Sequence, residues 1–191
     1  EDLSILRALP KMTVVAPGDD WETAEATEAL VNTPGTCYLR LDRASMRLSG
    51  VGSATFELGK ARLLREGKDL TFVASGSIVS EALSAAKNLA ESGIECRVLS
   101  MHTVKPIDRE ALSAAANETG GIVTVEEHTV DGGLGGAVAE VLLENGWIPR
   151  KFARVGLQSK FSSVVGSQDY LRREYGLDAD SIVSRVRQLL S

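Results

Sequence analysis

One segment, residues 121–146, limits the possible folds of this chain more than any other. It opens with the β-branched run 122–125, which is typical of a buried strand. Four glycines fall within the five positions 132–136, and residues 137–143 then have the pattern of a helix. A strand, a glycine-rich turn and a helix in this order occur in open α/β sheets, where ligands bind at the carboxyl ends of the strands.

The rest of the chain also alternates between strand and helix patterns. From Leu70 onward this alternation predicts an open, mostly parallel sheet flanked by helices. Residues 1–43 predict helix, strand, helix, strand, which is only part of a second α/β domain. Residues 44–58 are irregular and rich in glycine and serine, so we interpret them as a linker between that part and a domain formed by residues 59–191.

Local signals also predict helix caps and a loop. Asp19 or Asp20 can cap the helix of the first part, Ser77 the helix after the strand from Leu70, and Asp108 the next helix. Residues 102–108, before that last helix, predict a loop. Apolar residues recur at helical spacing in residues 78–90 and 182–190, so these two helices should pack against the sheet.

Charge and composition exclude several classes of protein. The net charge of −5 leaves no basic surplus for nucleic acid, and no apolar run approaches the roughly 20 residues of a membrane helix. Cys37 and Cys96 form no CxxC motif, so we expect two buried thiols in a reducing compartment and a cytoplasmic protein. Because the chain starts at Glu1 rather than at a methionine, we interpret it as a piece of a longer protein.

Two histidines and two acids are candidates for chemistry. His102 and His128 each come close to the end of a predicted parallel strand, and Glu126 and Glu127 lie beside His128. These side chains could form an acid/base pair or a metal site, or the histidines could simply bond to loop backbones or face a partner chain. We favour the structural role, since no third ligand stands at a zinc-like spacing.

The glycine cluster at residues 132–136 also has two interpretations. Free backbone N–H groups at a helix N-terminus can bind an anion, or glycines can let the helix approach a strand or a neighbouring subunit closely. The spacing matches neither GxGxxG nor a P-loop, so we favour the steric explanation.

Arg40 and Arg43 lie at the end of the last predicted strand of the first part, residues 36–41. Because side chains alternate along a strand, Tyr38 and Arg40 should share one face. An arginine there can bind a phosphate with two parallel hydrogen bonds, but it can equally pair with Asp42 or another acid at the surface. On the residues alone we favour surface pairing, and we find no catalytic, cofactor-binding or metal-binding residue.

Several segments together resemble transketolase. They include MHTVKPID at residues 101–108 and EEHTVDGGLGG at residues 126–136, and the full set comprises residues 1–19, 36–43, 59–76, 97–108, 119–142 and 175–182. The chain is similar in particular to the C-terminal section of transketolases that some microbes encode in two pieces. 1-Deoxyxylulose-5-phosphate synthase and the decarboxylase components of 2-oxo acid dehydrogenases have a similar acidic and glycine-rich segment, and a fragment of either is an alternative.

The resemblance implies a dimeric enzyme of three α/β domains with active sites between subunits. Such an enzyme transfers a two-carbon ketol unit between sugar phosphates in the pentose phosphate pathway, using thiamine diphosphate and Mg²⁺ or Ca²⁺. Residues 1–43 would be the C-terminal half of its pyrimidine-binding domain, and residues 59–191 its C-terminal domain. The cofactor-binding regions would lie in an upstream section, fused or separate, so we expect this chain alone to be inactive and to bind no cofactor.

The resemblance carries one functional residue to this chain. Arg43 matches the family arginine that contacts the substrate phosphate, and Arg40 is the competing choice. A second hypothesis for the whole chain belongs to a different class of function, namely a non-catalytic module for dimerisation or interaction.

Overall fold

The computed structural model describes residues 1–42, 55–159 and 161–191. Most of the predicted linker therefore lies outside the described residues, as does Arg43. The helices and strands follow in this order: α1 (Asp2–Ala8), β1 (Met12–Val15), α2 (Asp20–Val31), β2 (Thr36–Leu39), β3 (Arg62–Arg65), β4 (Leu70–Ser75), α3 (Val79–Ala90), β5 (Cys96–Ser100), β6 (Thr103–Lys105), α4 (Arg109–Glu118), β7 (Ile122–Thr129), α5 (Leu134–Glu144), β8 (Phe152–Leu157), α6 (Gln168–Glu174) and α7 (Ala179–Leu190).

The larger sheet has five strands in the order β3-β5-β4-β7-β8. Strands β5, β4, β7 and β8 run parallel, and β3 pairs antiparallel with β5 at the edge. Every residue of the central strand β4 is buried, as expected for a parallel strand covered by helices on both faces. The predicted open, mostly parallel sheet flanked by helices is confirmed.

Two apolar clusters cover the two faces of this sheet. Because side chains alternate along a strand, Phe72 of β4 packs among residues of α3 and α7, whereas Val73 packs among residues of α4 and α5. The C-terminal helix α7 thus lies on one face, beside α3, as its apolar pattern predicts. Both faces are closed by helices, so ligands could reach this sheet only at the ends of its strands.

The smaller sheet has the order β2-β1-β6, with β1 parallel to β2 and antiparallel to β6. The sequence predicted a plain loop at residues 102–108, and that prediction was wrong for Thr103–Lys105, which form β6. Three residues are too few for a periodic pattern, and the partner strand β1 lies about 90 residues earlier. Strand β6 ties the first part of the chain to the second, and Leu3, Val14 and Val104 share one small core there.

Candidate functional site

The carboxyl ends of β4 and β7 form the natural place for a site. Strand β4 connects through α3 to β5 on one side, and β7 connects through α5 to β8 on the other. The direction of winding therefore changes between β4 and β7, and ligands of open α/β sheets bind in the crevice at such a point. The turn after β4, the last residues of β7 and the chain leaving β2 all meet here.

The carboxylate of Glu126 lies at the glycine turn, against the N-terminus of α5. This buried carboxylate accepts hydrogen bonds from the backbone N–H groups of Leu134, at 2.7 Å, and Gly135, at 2.8 Å. It thus caps α5 and takes the place that an external anion would occupy. Burial raises the pKa of Glu126 to about 7, while the two backbone hydrogen bonds oppose that rise.

The glycines of the turn leave the space that the carboxylate of Glu126 occupies. A Cβ atom on Gly133 would overlap Glu126 Oε2 and would lie 2.8 Å from the carbonyl oxygen of Thr129. A Cβ atom on Gly135 would lie 2.7 Å from Thr124 Oγ1. These close approaches support the steric explanation at Gly133 and Gly135, where strand β7 and its own glutamate are the close neighbours.

His128 is buried beside this cap. Its Nδ1 lies 2.8 Å from the carbonyl oxygen of Thr129, which can only accept, so the neutral ring carries its proton on Nδ1. Its Nε2 lies 3.6 Å from Asp2 Oδ1. Burial lowers the pKa of His128, which favours the neutral ring.

His102 occupies a separate environment. Its ring stacks on Phe56 with the ring centres 4.3 Å apart, and its Nδ1 lies 2.9 Å from Thr103 Oγ1. Burial, with a smaller contribution from Arg62, lowers the pKa of His102 to about 4. Within residues 1–42, 55–159 and 161–191 no three His, Cys, Asp or Glu side chains are grouped to hold a metal ion. The structural role favoured for both histidines agrees with these contacts.

The lowered pKa of His102 gives a testable pH dependence. The unfolded chain binds a proton on this histidine below about pH 6.5, whereas the folded chain does so only near pH 4, so stability falls as the pH falls through this range. We expect a loss of roughly 2–3 kcal/mol in the free energy of unfolding between pH 6.5 and 4. Urea denaturation of the wild type and of His102→Phe measures it, because the variant lacks this titration. Equal pH slopes in the two proteins would contradict the assignment.

A buried ionic cluster joins the first part of the chain to the larger sheet. Arg62 Nη1 lies 3.0 Å from Asp19 Oδ2 and 3.3 Å from Glu22 Oε1, and its guanidinium lies 4.5 Å from the centre of the Trp21 ring. Glu22 also accepts hydrogen bonds from the N–H of Gly18 and from the hydroxyl of Ser100. Burial raises the pKa of Glu22.

Sequence reasoning predicted only the cap in this cluster. Asp19 accepts a hydrogen bond from the N–H of Glu22 at 2.8 Å and so caps α2, as expected of Asp19 or Asp20. The bridge to Arg62 spans about 40 residues, and no local pattern indicates it.

A second arginine fills the crevice between β4 and β7. Arg172 of α6 is 5% exposed, and its Nη2 lies 2.8 Å from both Glu127 Oε2 and Ser77 Oγ. The sequence predicted Ser77 as the cap of α3, which was wrong, because the N-cap is Ile78 and makes no side-chain cap bond. The hydroxyl of Ser77 binds Arg172 instead, so the protein's own charges occupy the crevice.

The structure places only one of the two candidate phosphate-binding arginines. Arg40 Nε lies 3.3 Å from Asp2 Oδ2, and its Nη2 donates to the carbonyl oxygen of Glu127 at 3.1 Å. Tyr38 donates to the same Asp2 carboxylate, so Tyr38 and Arg40 share one face of the chain as predicted. An open cleft of about 700 Å³ lies beside them between α1 and the ends of β7 and β8.

Neither cysteine forms a disulfide. Cys96 is buried, and burial raises the pKa of its thiol to about 12, which keeps it protonated and unreactive. Cys37 is only half-buried on β2, so the prediction of two buried thiols holds for Cys96 alone. Among the helices described, none has the length and apolar character needed to span a membrane.

Comparison with known proteins agrees with this fold. A family model described as "Transketolase, C-terminal domain" matches residues 59–182. A 6-deoxy-6-sulfo-D-fructose transketolase subunit of Clostridium sp. (strain MSTE9) is 44% identical over 190 residues, which are 99% of this chain and 58% of that protein. A 1-deoxy-D-xylulose-5-phosphate synthase of Thermomicrobium roseum is 41% identical over an alignment of 198 positions, which covers 100% of this chain and 30% of that protein.

One solved structure is described as a split gene transketolase, inactive beta4 tetramer. The similarity covers 100% of this chain and 61% of the chain in that structure. The TM-score is 0.91 and the sequence identity is 42%. The chain spans about 58% of the length of the transketolase subunit it matches. With a family match over residues 59–182 and a fold shared across its whole length, the chain belongs to the transketolase family, in its C-terminal part.

Proposed function

We propose that this chain is the C-terminal part of a transketolase that transfers a two-carbon ketol unit between sugar phosphates in the pentose phosphate pathway of the cytoplasm. The similarity to the split gene transketolase over the whole chain, at a TM-score of 0.91, carries the proposal. Residues 1–43 are then the C-terminal half of the pyrimidine-binding domain, residues 44–58 a linker, and residues 59–191 the C-terminal domain.

The complete enzyme binds thiamine diphosphate with Mg²⁺ or Ca²⁺ through an upstream section, fused or separate, and acts as a homodimer. The crevice at the ends of β4 and β7 supports an upstream cofactor site. Glu126 already caps the helix at the glycine turn, and Arg172 already pairs with Glu127 beside it. A diphosphate at this turn would have to displace these buried charges, which supports the proposal that this chain alone is inactive and binds no cofactor.

Arg43 is the residue we propose to contact the substrate phosphate. The competing residue, Arg40, already pairs with Asp2 and donates to the carbonyl oxygen of Glu127. A guanidinium engaged in this way has fewer donors left for a phosphate. This engagement supports Arg43 as the choice.

Reconstitution tests the proposal. We expect no ketol transfer by this chain alone, and no saturable heat when it is titrated with thiamine diphosphate and Mg²⁺. Mixing with an upstream transketolase section should give ketol transfer from a ketose phosphate to an aldose phosphate. Tight cofactor binding by the chain alone would contradict the proposal.

The second candidate is 1-deoxyxylulose-5-phosphate synthase, which the 41% identity to the Thermomicrobium roseum enzyme favours. A reconstituted enzyme that consumed pyruvate and made no ketol transfer would support it, or a 2-oxo acid dehydrogenase component. A chain that associates with itself and never restores activity would instead indicate a non-catalytic interaction module.

A further inference from the structure

The region around β8 differs in charge from the rest of the chain. Residues 145–167 contain no aspartate or glutamate but four lysines and arginines, in a chain whose net charge is −5. Strand β8 lies within this segment and pairs on one side with β7, so in the described part of the chain it is an edge strand of the larger sheet. This edge of an acidic protein is therefore basic.

A cavity of about 320 Å³ lies beside β8. The residues that line it are Val130, Phe152, Ala153, Arg154, Gln158 and Arg185. Two guanidinium groups thus share one small space whose lining contains no carboxylate. Like charges in such a space repel each other, and an anion between them removes the repulsion. The volume is near the lower end of the range for pockets that bind small molecules.

The side chain of Arg154 is held in place before any ligand arrives. Its Nη1 donates to the carbonyl oxygen of Val130 at 2.7 Å. Its stem passes close to α5, because a Cβ atom on Gly135 would lie 2.8 Å from Arg154 Cδ. A guanidinium has five N–H donors, so most of those of Arg154 stay available. A side chain fixed in this way loses little conformational entropy when it binds a ligand.

The acids of the chain do not neutralise this pair of cations. The charge of Arg154 opposes the burial that raises the pKa of Glu126, but the described residues include no ion pair between them. Arg185 lies on α7, where its neighbours three and four positions away are Ser181, Ile182, Gln188 and Leu189, none of them acidic. Six other arginines do pair with acids, namely Arg7, Arg40, Arg62, Arg65, Arg97 and Arg172.

We propose that this cavity binds the phosphate group of a small phosphate monoester, which Arg154 and Arg185 hold between them. A guanidinium matches two oxygens of a phosphate with two parallel hydrogen bonds. Phe152 and Val130 supply an apolar wall for the rest of the molecule. The cavity lies beyond β7 from the crevice between β4 and β7, so the site does not depend on the proposed function.

Titration of the ¹⁵N-labelled chain with inorganic phosphate tests the site by NMR, with the ionic strength held constant by NaCl. We expect saturable shifts confined to Arg154, Arg185 and their neighbours, with a millimolar Kd because both cations are partly in water. This affinity is too weak to give saturable heat with micromolar thiamine diphosphate. Phenyl phosphate should bind several-fold more tightly, because its ring contacts the apolar wall. Benzoate that bound as tightly as phenyl phosphate would overturn the assignment to phosphate.

Three variants complete the test. Arg154→Gln and Arg185→Gln should each weaken phosphate binding about tenfold, since each removes charge-assisted hydrogen bonds. Arg173→Gln is the matched control, because Arg173 is an exposed arginine of α6 outside the cavity, and it should bind phosphate like the wild type. Shifts that never saturate, or an equal loss in Arg173→Gln, would indicate general screening of charge and overturn the proposal. Should Arg154→Gln not fold, the exposed Arg185 decides, and unchanged binding by Arg185→Gln would also overturn it.

Discussion

Replacing Arg62 by leucine is expected to lower the free energy of unfolding by about 3–5 kcal/mol. The substitution leaves the carboxylates of Asp19 and Glu22 buried side by side without the cation that bridges them. It also removes the guanidinium that packs against the Trp21 ring. The loss of the bridge is large because two buried like charges repel in a medium of low polarity.

Urea denaturation of Arg62→Leu measures this loss, with Arg185→Leu as a matched control. Arg185 is an exposed arginine of α7, so its replacement should change stability by less than about 0.5 kcal/mol. Adding Asp19→Asn and Glu22→Gln to Arg62→Leu should recover part of the loss, because the unpaired charges disappear. A loss below about 1 kcal/mol for Arg62→Leu would mean that the cluster is not an important contact between the two sheets.

The residues that sequence reasoning placed correctly are those with local signals. The buried strands β4 and β7, the apolar faces of α3 and α7 and the caps of α2 and α4 all depend on neighbours within a few positions. Asp108, for example, accepts a hydrogen bond from the N–H three residues later. Periodicity and capping preferences report such contacts directly.

The contacts that sequence reasoning missed join residues far apart in the chain. Arg172 and Glu127 are 45 residues apart, and β6 pairs with a strand about 90 residues away. No local pattern indicates that Arg172 pairs with Glu127, since a charged residue in a helix usually faces water. The role of Arg43 came from resemblance to a family rather than from local chemistry, and it stays a prediction.

The contrast between local signals and contacts made only in the folded chain also applies to the glycine turn at residues 132–136. The sequence left two possibilities, an anion site or a close approach, because both need glycine at a strand-to-helix turn. Only the fold brings the side chain of Glu126 back over the helix N-terminus that follows its own strand. A pair of alanine substitutions therefore tests the interpretation more sharply than any ligand does.

We expect Gly133→Ala to cost about 3–5 kcal/mol of the free energy of unfolding, and Gly136→Ala to be neutral or to stabilise by up to about 1 kcal/mol. Gly133 has a φ of −76°, which any residue adopts, so the expected cost does not come from a left-handed backbone. Its new Cβ would push Glu126 away and leave the N–H groups of Leu134 and Gly135 buried and unpaired. For a Cβ on Gly136, inside α5, the nearest described atom beyond its chain neighbours and the backbone of its own helix is Arg7 Nη2, at 3.6 Å.

Thermal and urea denaturation of the two variants give the measurement, and the difference between them is the decisive quantity. Both substitutions add one methyl group to the same glycine cluster, so a general intolerance of side chains would destabilise both. If Gly133→Ala were as stable as the wild type, the carboxylate of Glu126 would not be fixed against α5. The turn would then have room for an external anion, and the thiamine diphosphate titration of the chain alone would become the experiment to repeat with that variant.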